Sequence, residues 1–150
     1  MENLTIVIKK TEELSPQELI SIMQERVKVF VVEQNCPYQE IDQKDENAIH
    51  ICLKKNGALL AYSRIIPHDD QCHISLGRVL VVKKYRRHAL GRKLLTTSLQ
   101  EIKKRYPDQA IKIQAQSYLE KFYASFGFEA VSAVYLEDNI PHIDMLLKVN

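Results

Sequence analysis

The run Val79-Leu80-Val81-Val82-Lys83-Lys84-Tyr85-Arg86-Arg87-His88-Ala89-Leu90-Gly91-Arg92-Lys93 decides how this chain folds. Its four apolar residues read as the end of a strand. The basic stretch after them reads as a short loop. Gly91 then opens a helix whose apolar positions, Leu94, Leu95, Leu99, Ile102 and Tyr106, recur with helical spacing. A strand, a basic loop and a helix N-terminus make an anion cradle, because free backbone N–H groups and the positive end of the helix dipole converge there. No acid in the run cancels that field. The loop is too short and too poor in glycine for a P-loop, and it lacks the Lys-Ser/Thr pair that holds a magnesium nucleotide. The expected anion is therefore a pyrophosphate gripped without metal; a basic surface loop between two packed elements is the alternative.

A chain of 150 residues is expected to form one domain, residues 1–150, with a real core. Its 45% hydrophobic and 27% charged residues are ordinary for a soluble globular protein. A net charge of +2 is too small for a general affinity for nucleic acid or membrane, so neither is an expected partner. There is no signal-like N-terminus and no apolar stretch long enough for a bilayer. Cys36, Cys52 and Cys72 are odd in number and widely spaced, which suits reduced thiols in a cytoplasmic protein. No Cys or His pair has metal-ligand spacing, so no metal is expected.

Outward from the basic loop, the pattern alternates strands with helices. Leu4–Lys9 reads as a first strand, and Ser15-Pro16-Gln17-Glu18 is a capping box with proline at the first helical position. Leu19, Met23, Val27 and Phe30 then recur at helical spacing. Val31 to Asn47 reads as a long connection or a short second helix, with Glu33, Glu40, Asp42, Asp45 and Glu46 set around Pro37. Its acids could attract a cationic amine or simply form a solvated face. Ile49, Ile51 and Leu53 alternate with His50, Cys52 and Lys54 as in a strand, and Asn56-Gly57 is a strong hairpin signal. The strand returns over Ala58–Ile66, and another runs from Cys72 to Val82, with Gly77 inside it as a bulge or a place of close approach. After the helix that ends at Tyr106-Pro107 come a strand over Ala110–Ala115, parallel to its predecessor, a short helix over Ser117–Phe126 and two strands, Ala130–Tyr135 and Ile143–Val149.

Arg86-Arg87-His88-Ala89-Leu90-Gly91 resembles the phosphate-loop motif Arg/Gln-x-x-Gly-x-Gly/Ala of the GNAT superfamily of acyl-CoA N-acyltransferases, with Ala89 in place of the first glycine. If the backbone there needs a positive φ, Ala89 is strained. Tyr123-Ala124-Ser125-Phe126-Gly127-Phe128 matches a second feature of that family, Tyr-x-x-x-Gly-Phe, and Gln116 stands where an asparagine is often found. Phe30–Cys36, Gln39–Asp42, Leu76–Val79, Gln114–Gln116 and Tyr135–His142 look more narrowly like the ElaA-like subgroup.

The resemblance implies an α/β (α+β) fold: a mixed, mostly antiparallel twisted sheet of about seven strands, a central parallel strand-helix-strand unit and flanking helices. It implies acetyl transfer from acetyl-CoA to a primary amine, with no metal. Carried over, Val79, Leu80 and Val81 would hydrogen-bond the pantetheine arm. Arg86, Arg87, His88, Ala89, Leu90, Gly91 and Arg92 would hold the pyrophosphate through N–H groups and charge. Tyr123 would protonate the departing thiolate; its alternative is a structural tyrosine packed with Leu119, Phe122 and Phe126. Glu33 and His142 are candidate bases for the amine, with solvent as the other outlet. Gln114 and Gln116 would point amides at the acceptor. A homodimer is in keeping with the family. The competing classes are a non-catalytic acyl-CoA-binding or sensing module, which has no need of Tyr123, and a nucleic-acid-binding domain, disfavoured by the low charge.

Overall fold

In a computed structural model, which describes residues 3–149, the strands form one twisted sheet. Its strands are β1 (Thr5–Lys10), β2 (Ile49–Lys55), β3 (Ala58–Pro67), β4 (Ile74–Val81), β5 (Ile111–Gln116), β6 (Glu129–Ala130), β7 (Tyr135–Glu137) and β8 (Ile140–Leu147). The spatial order is β1-β2-β3-β4-β5-β8-β6, and β7 also pairs with β8. Every pairing is antiparallel except β4 with β5. This is the expected mixed sheet, with eight strands instead of about seven. The extra one arises because the stretch read as a single strand over Ala130–Tyr135 is broken: Ser132 turns its hydroxyl to accept the Asp144 amide at 2.9 Å, so β6 and β7 share one edge of β8.

One face of the sheet carries α2 (Leu90–Arg105) over Leu53, Leu60, Ile65, Ile74, Ile113 and Met145. The other carries α1 (Pro16–Arg26) over Cys52, Tyr62 and Leu80. β2 is thus buried on both faces, and the alternation that reads as one core face describes two cores. The Ser15 capping box forms as expected, its hydroxyl accepting from the Glu18 amide at 3.1 Å. Past Arg26, however, the helix widens into a π-helical stretch, Val27–Glu33. Of the expected Leu19-Met23-Val27-Phe30 stripe, Phe30 is buried, Leu19 and Met23 are half-buried and Val27 is exposed. The fully buried line is Ile22 and Arg26 in the regular helix, carried on by Val29 and Phe30 in the wider turn. Ser117–Phe126 is likewise split into a 3-10 turn, Ser117–Leu119, and α3 (Glu120–Ala124). Gly127 closes α3 at φ +101°, a conformation that L side chains rarely adopt.

The β-bulge expected at Gly77 lies one residue on. Arg64 pairs with Gly77 and Tyr62 with Leu80, so two residues of β4 oppose one of β3, and Arg78 takes the positive φ of +51°. This flips the strand. Ile74 and Leu76 face α2 before the bulge, Val79 and Val81 after it, and Leu80 turns to α1.

Candidate active site

β4 and β5 pair only at Ile74 and Ile111. Beyond that point they part, and a cleft of about 830 Å³ opens between them, lined by residues of both strands, the basic loop, α3 and the β7–β8 hairpin. The cleft exists because the bulge redirects one strand while β8 holds the other along its whole length, from Ile111–Leu147 to Gln116–His142.

At the end of β4 the amide of Val82 bonds Leu60 of β3 at 2.8 Å. Antiparallel alternation then turns the backbone of Leu80 toward β3 as well, and that of Val79 and Val81 toward the cleft. The Val81 carbonyl already accepts from Arg86 Nε at 2.9 Å, so Val79 and the Val81 amide are the open positions.

The basic loop carries two left-handed residues, Arg87 at φ +71° and Ala89 at φ +58°. Ala89 is the N-cap of α2. Its side chain cannot cap the helix, and the first intrahelical bond runs from the Lys93 amide to the Ala89 carbonyl at 3.2 Å. Among the described residues, the amides from Arg87 to Arg92 therefore meet no backbone acceptor. The left-handed Ala89 followed by the right-handed start of the helix at Leu90, with free N–H groups, forms an anion nest, here seated on the end of a 16-residue helix. A Cβ on Gly91 would meet only the Phe122 ring, at 3.7 Å, an ordinary contact. The fold itself does not demand glycine there, which suits close approach by an outside group. Arg87, His88 and Ala89 are exposed and Leu90 is buried beneath them. Arg92 lies over the Phe126 ring and donates to Ser125 at 3.0 Å. Arg86 is committed elsewhere: it holds Glu33 through two bonds, of 2.7 and 3.1 Å, joining the π-helical stretch to the end of β4.

That pairing decides the state of Glu33, whose bond with Arg86 holds its carboxyl below the usual range. Glu33 is thus a poor proton acceptor, and neither it nor Arg86 stands free. His142 differs. Its Nδ1 lies 2.6 Å from the Ile140 carbonyl, which can only accept, so Nδ1 carries a proton and, of the two neutral tautomers, the contact selects the one with its lone pair on Nε2. The ring stacks on Tyr135 and borders the cleft. Gln116, cross-strand from His142, exchanges amide bonds of 3.3 and 3.4 Å with Gln34. Gln114 is exposed on the same strand face. Tyr123 is buried, packed edge-on against Phe122 and Phe128, and reaches the cleft. Burial raises its pKa, so the phenol keeps its proton at any working pH.

The acids between Glu33 and Glu46, open in sequence to a role in attracting cations, are mostly spoken for. Arg26, fully buried, binds Glu40 at 2.8 Å and Asp45 at 2.6 and 3.1 Å. Arg64 gives Nη1 to Asp42 at 2.9 Å and Asp45 at 3.0 Å. Arg78 pairs with Glu40 and lies over Tyr38. This network seats the 34–47 segment beside the cleft. None of Arg26, Arg64 or Arg78 was expected, although an arginine inside the apolar strand Leu59–Ile66 is a signal that could have been read. Below the network, Thr11 must donate to the Asp45 carbonyl. It therefore accepts from His50 Nε2 at 2.7 Å, leaving Nδ1 to accept from Tyr62 at 2.6 Å. Burial pushes the His50 pKa down to about 4. Among the described residues no group of His, Cys, Asp and Glu could hold a metal, and no helix is long and apolar enough to cross a membrane.

A model of the acetyltransferase (GNAT) domain matches residues 11–149. Protein ElaA of Escherichia coli K12 is 44% identical over 141 residues, which cover 91% of this chain and 92% of ElaA. The crystal structure of Escherichia coli ElaA superposes with a TM-score of 0.90 at 40% identity, over 96% of this chain and 99% of that one. An acyl-CoA N-acyltransferase from Pseudomonas aeruginosa gives 0.89 at 38% identity, over 95% and 98%. The likeness runs over nearly the full length of each of these proteins, and this chain belongs to the GNAT acetyltransferases.

Proposed function

We propose that the protein moves an acetyl group from acetyl-CoA to a primary amine, within a single domain. The observation that carries this reading is one cleft bordered by the free edge of β4, the amide nest of residues 87–92 and the Tyr123 phenol. The nest suits a pyrophosphate, with Arg87 and Arg92 adding charge and His88 a ring N–H beside the amides of Ala89, Leu90 and Gly91. Arg86 acts at one remove, by fixing the loop to Val81 and Glu33. Val79 and Val81 offer the pantetheine amides an extra-strand edge, and Leu80 packs behind them.

The amine nitrogen attacks the thioester carbonyl; the C–N bond forms and the C–S bond breaks. The proton lost by nitrogen passes to His142 Nε2, directly or through water. Glu33, held by Arg86, is set aside as the base. The sulfur leaves as a thiolate and takes a hydrogen bond, then the proton, from Tyr123. His142 gives up the amine proton to solvent and the phenolate regains one from solvent, so that net the amine proton ends on the thiol. A phenol normally holds its proton more tightly than a thiol, and burial raises Tyr123 further, so the role rests on a tightly positioned hydroxyl whose hydrogen bond stabilises the departing thiolate. Gln114 faces the acceptor, whereas Gln116 braces the cleft by gripping Gln34.

Thermal stability with and without acetyl-CoA tests the donor site, with ATP and NADPH as controls. Acetyl-CoA at 100 times its Kd should add about 2.7 kcal/mol. An equal shift with all three compounds, or none, removes the donor site. Release of CoA thiol on adding primary amines tests catalysis. Donor binding without thiol release from any amine would leave a non-catalytic acyl-CoA-binding module.

A further inference from the structure

Arg64 is 4% exposed and lines the cleft, yet it uses only one end of its guanidinium. Nη1 serves Asp42 and Asp45. Nε is sealed from water without a hydrogen-bond partner, and Nη2 has none among the described residues. Nη2, which is not sealed, is therefore the donor of this guanidinium left for a carboxylate oxygen, with Nε closed off beside it.

Directly across the strand pair from Arg64 stands Gly77. Cross-strand partners share a face, so a side chain at 77 would project on the same side of the sheet as Arg64. The fold gives no reason for glycine here. The left-handed residue is Arg78, Gly77 is outside the left-handed region, and a Cβ on it would meet nothing within 4 Å. Ser75, two residues before and on the same face, also borders the cleft. The missing side chain is thus a gap between a half-used buried arginine and the space where an acceptor must lie.

We infer that Arg64, reached through the gap at Gly77, is the anchor for a carboxylate on the acceptor, so that the substrate class is an amine that also carries a carboxylate. This rests on the acyl-transfer reading above. The nearby acids do not oppose it, because Glu40, Asp42 and Asp45 are already bound to Arg26, Arg64 and Arg78. Arg64 holds and orients the acceptor and touches no reacting atom.

The test uses matched sets of acceptors with acetyl-CoA: phenylalanine, phenylalaninamide and phenethylamine, then 5-aminovalerate and butylamine, followed by CoA thiol release. The same compounds are titrated calorimetrically into the CoA-loaded protein, which reads acceptor binding whether or not turnover occurs. At least one amino-carboxylate should exceed its uncharged partner by tenfold or more in both kcat/KM and affinity. Gly77→Val, which fills the gap in a backbone that valine accepts, should abolish that preference by raising KM, with the acetyl-CoA thermal shift retained. Arg64→Lys should lower the preference while keeping the charge beside Asp45. Turnover of plain amines at equal rates, or a preference that survives Gly77→Val, overturns the carboxylate anchor and leaves the acyl-transfer reading standing. Carboxylate-dependent binding without thiol release supports the anchor and removes the catalysis. Absence of amino-carboxylate binding removes the anchor whatever the turnover.

Discussion

Ala89 stands at φ +58° because the loop must turn its amides outward before α2 begins. An L residue there has its Cβ pressed against the following carbonyl, at a cost of about 1–2 kcal/mol. Glycine escapes that cost but loses about 0.5–1 kcal/mol through the flexibility of the unfolded chain. The balance favours glycine: Ala89→Gly should raise stability by about 0.5–1 kcal/mol, read as a higher denaturant midpoint with unchanged slope. A lower midpoint would mean that this backbone is not strained. That strain was foreseeable, since the loop motif resembles one with glycine at this place; the positive φ at Arg87 was not, because nothing in its side chain announces it. Tyr123 makes the second residue-scale prediction. Its ring fills a buried niche among Phe122 and Phe128, and phenylalanine fills the same niche, so Tyr123→Phe should fold and bind acetyl-CoA as before. Loss of the phenol proton should lower kcat by about 10²–10⁴-fold. Unchanged turnover would return Tyr123 to the purely structural role.

Among the elements, the 3-10 turn Gln43–Asn47 and the strands β2 and β3 share a buried polar seam. Burial works to raise the Asp45 pKa, but Arg26, with further help from Arg64, holds the carboxyl down to about 2. For the base His50, burial, aided by the Arg26 and Arg64 charges and opposed by Asp45, brings the pKa from 6.5 down to about 4. The unfolded chain therefore binds protons more readily at both sites, and stability rises with pH through both windows. Between pH 6.5 and 4, protonation of His50 in the unfolded state should remove on the order of 3 kcal/mol. Between pH 4 and 2, Asp45 should remove on the order of 2 kcal/mol more. Denaturant unfolding at pH 7, 5.5 and 4 reads the first window, and His50→Gln should flatten it; a flat profile in the native protein would mean that His50 is charged in the fold. Asp45→Asn should cost about 3–5 kcal/mol at neutral pH, since it leaves Arg26 buried with one partner fewer. The sequence exposes little of this seam. His50 reads as the outward half of an alternating strand, and only the arrival of α1 on that face buries it. The acids of residues 40–45 read as a solvated loop because their partners, Arg26, Arg64 and Arg78, lie far off along the chain. Local periodicity finds elements; it does not find which polar groups those elements bring together.

At the scale of the molecule, the sheet is two antiparallel blocks hinged on one parallel contact, Ile74 with Ile111. The strand-helix-strand unit that joins them was legible from Val79 to Ala115, because an apolar run, a basic loop and an amphipathic helix each carry their own period. The parting of β4 from β5 was not, since it comes from a bulge whose left-handed residue is Arg78 and not the glycine beside it. The hinge has an energetic consequence. On the open side the cleft edge of β4 forgoes its ladder bonds, and the α2 end leaves its amides to water. A donor that lies along β4 with its pyrophosphate in the nest replaces those bonds and ties the two blocks together. Acetyl-CoA at saturation should therefore slow amide hydrogen exchange at Val79, Val81 and residues 87–92 beyond the global gain in stability. The Asn56-Gly57 hairpin, at the far end of β2 and β3, should change only by that global gain. Arg86 offers the control within the loop, because its amide already bonds the Lys83 carbonyl at 3.4 Å and should respond less than its neighbours. Uniform protection across the sheet would mean that the donor stiffens the fold without entering the cleft. Protection confined to residues 87–92 would mean that the nest binds phosphate alone, with β4 left open.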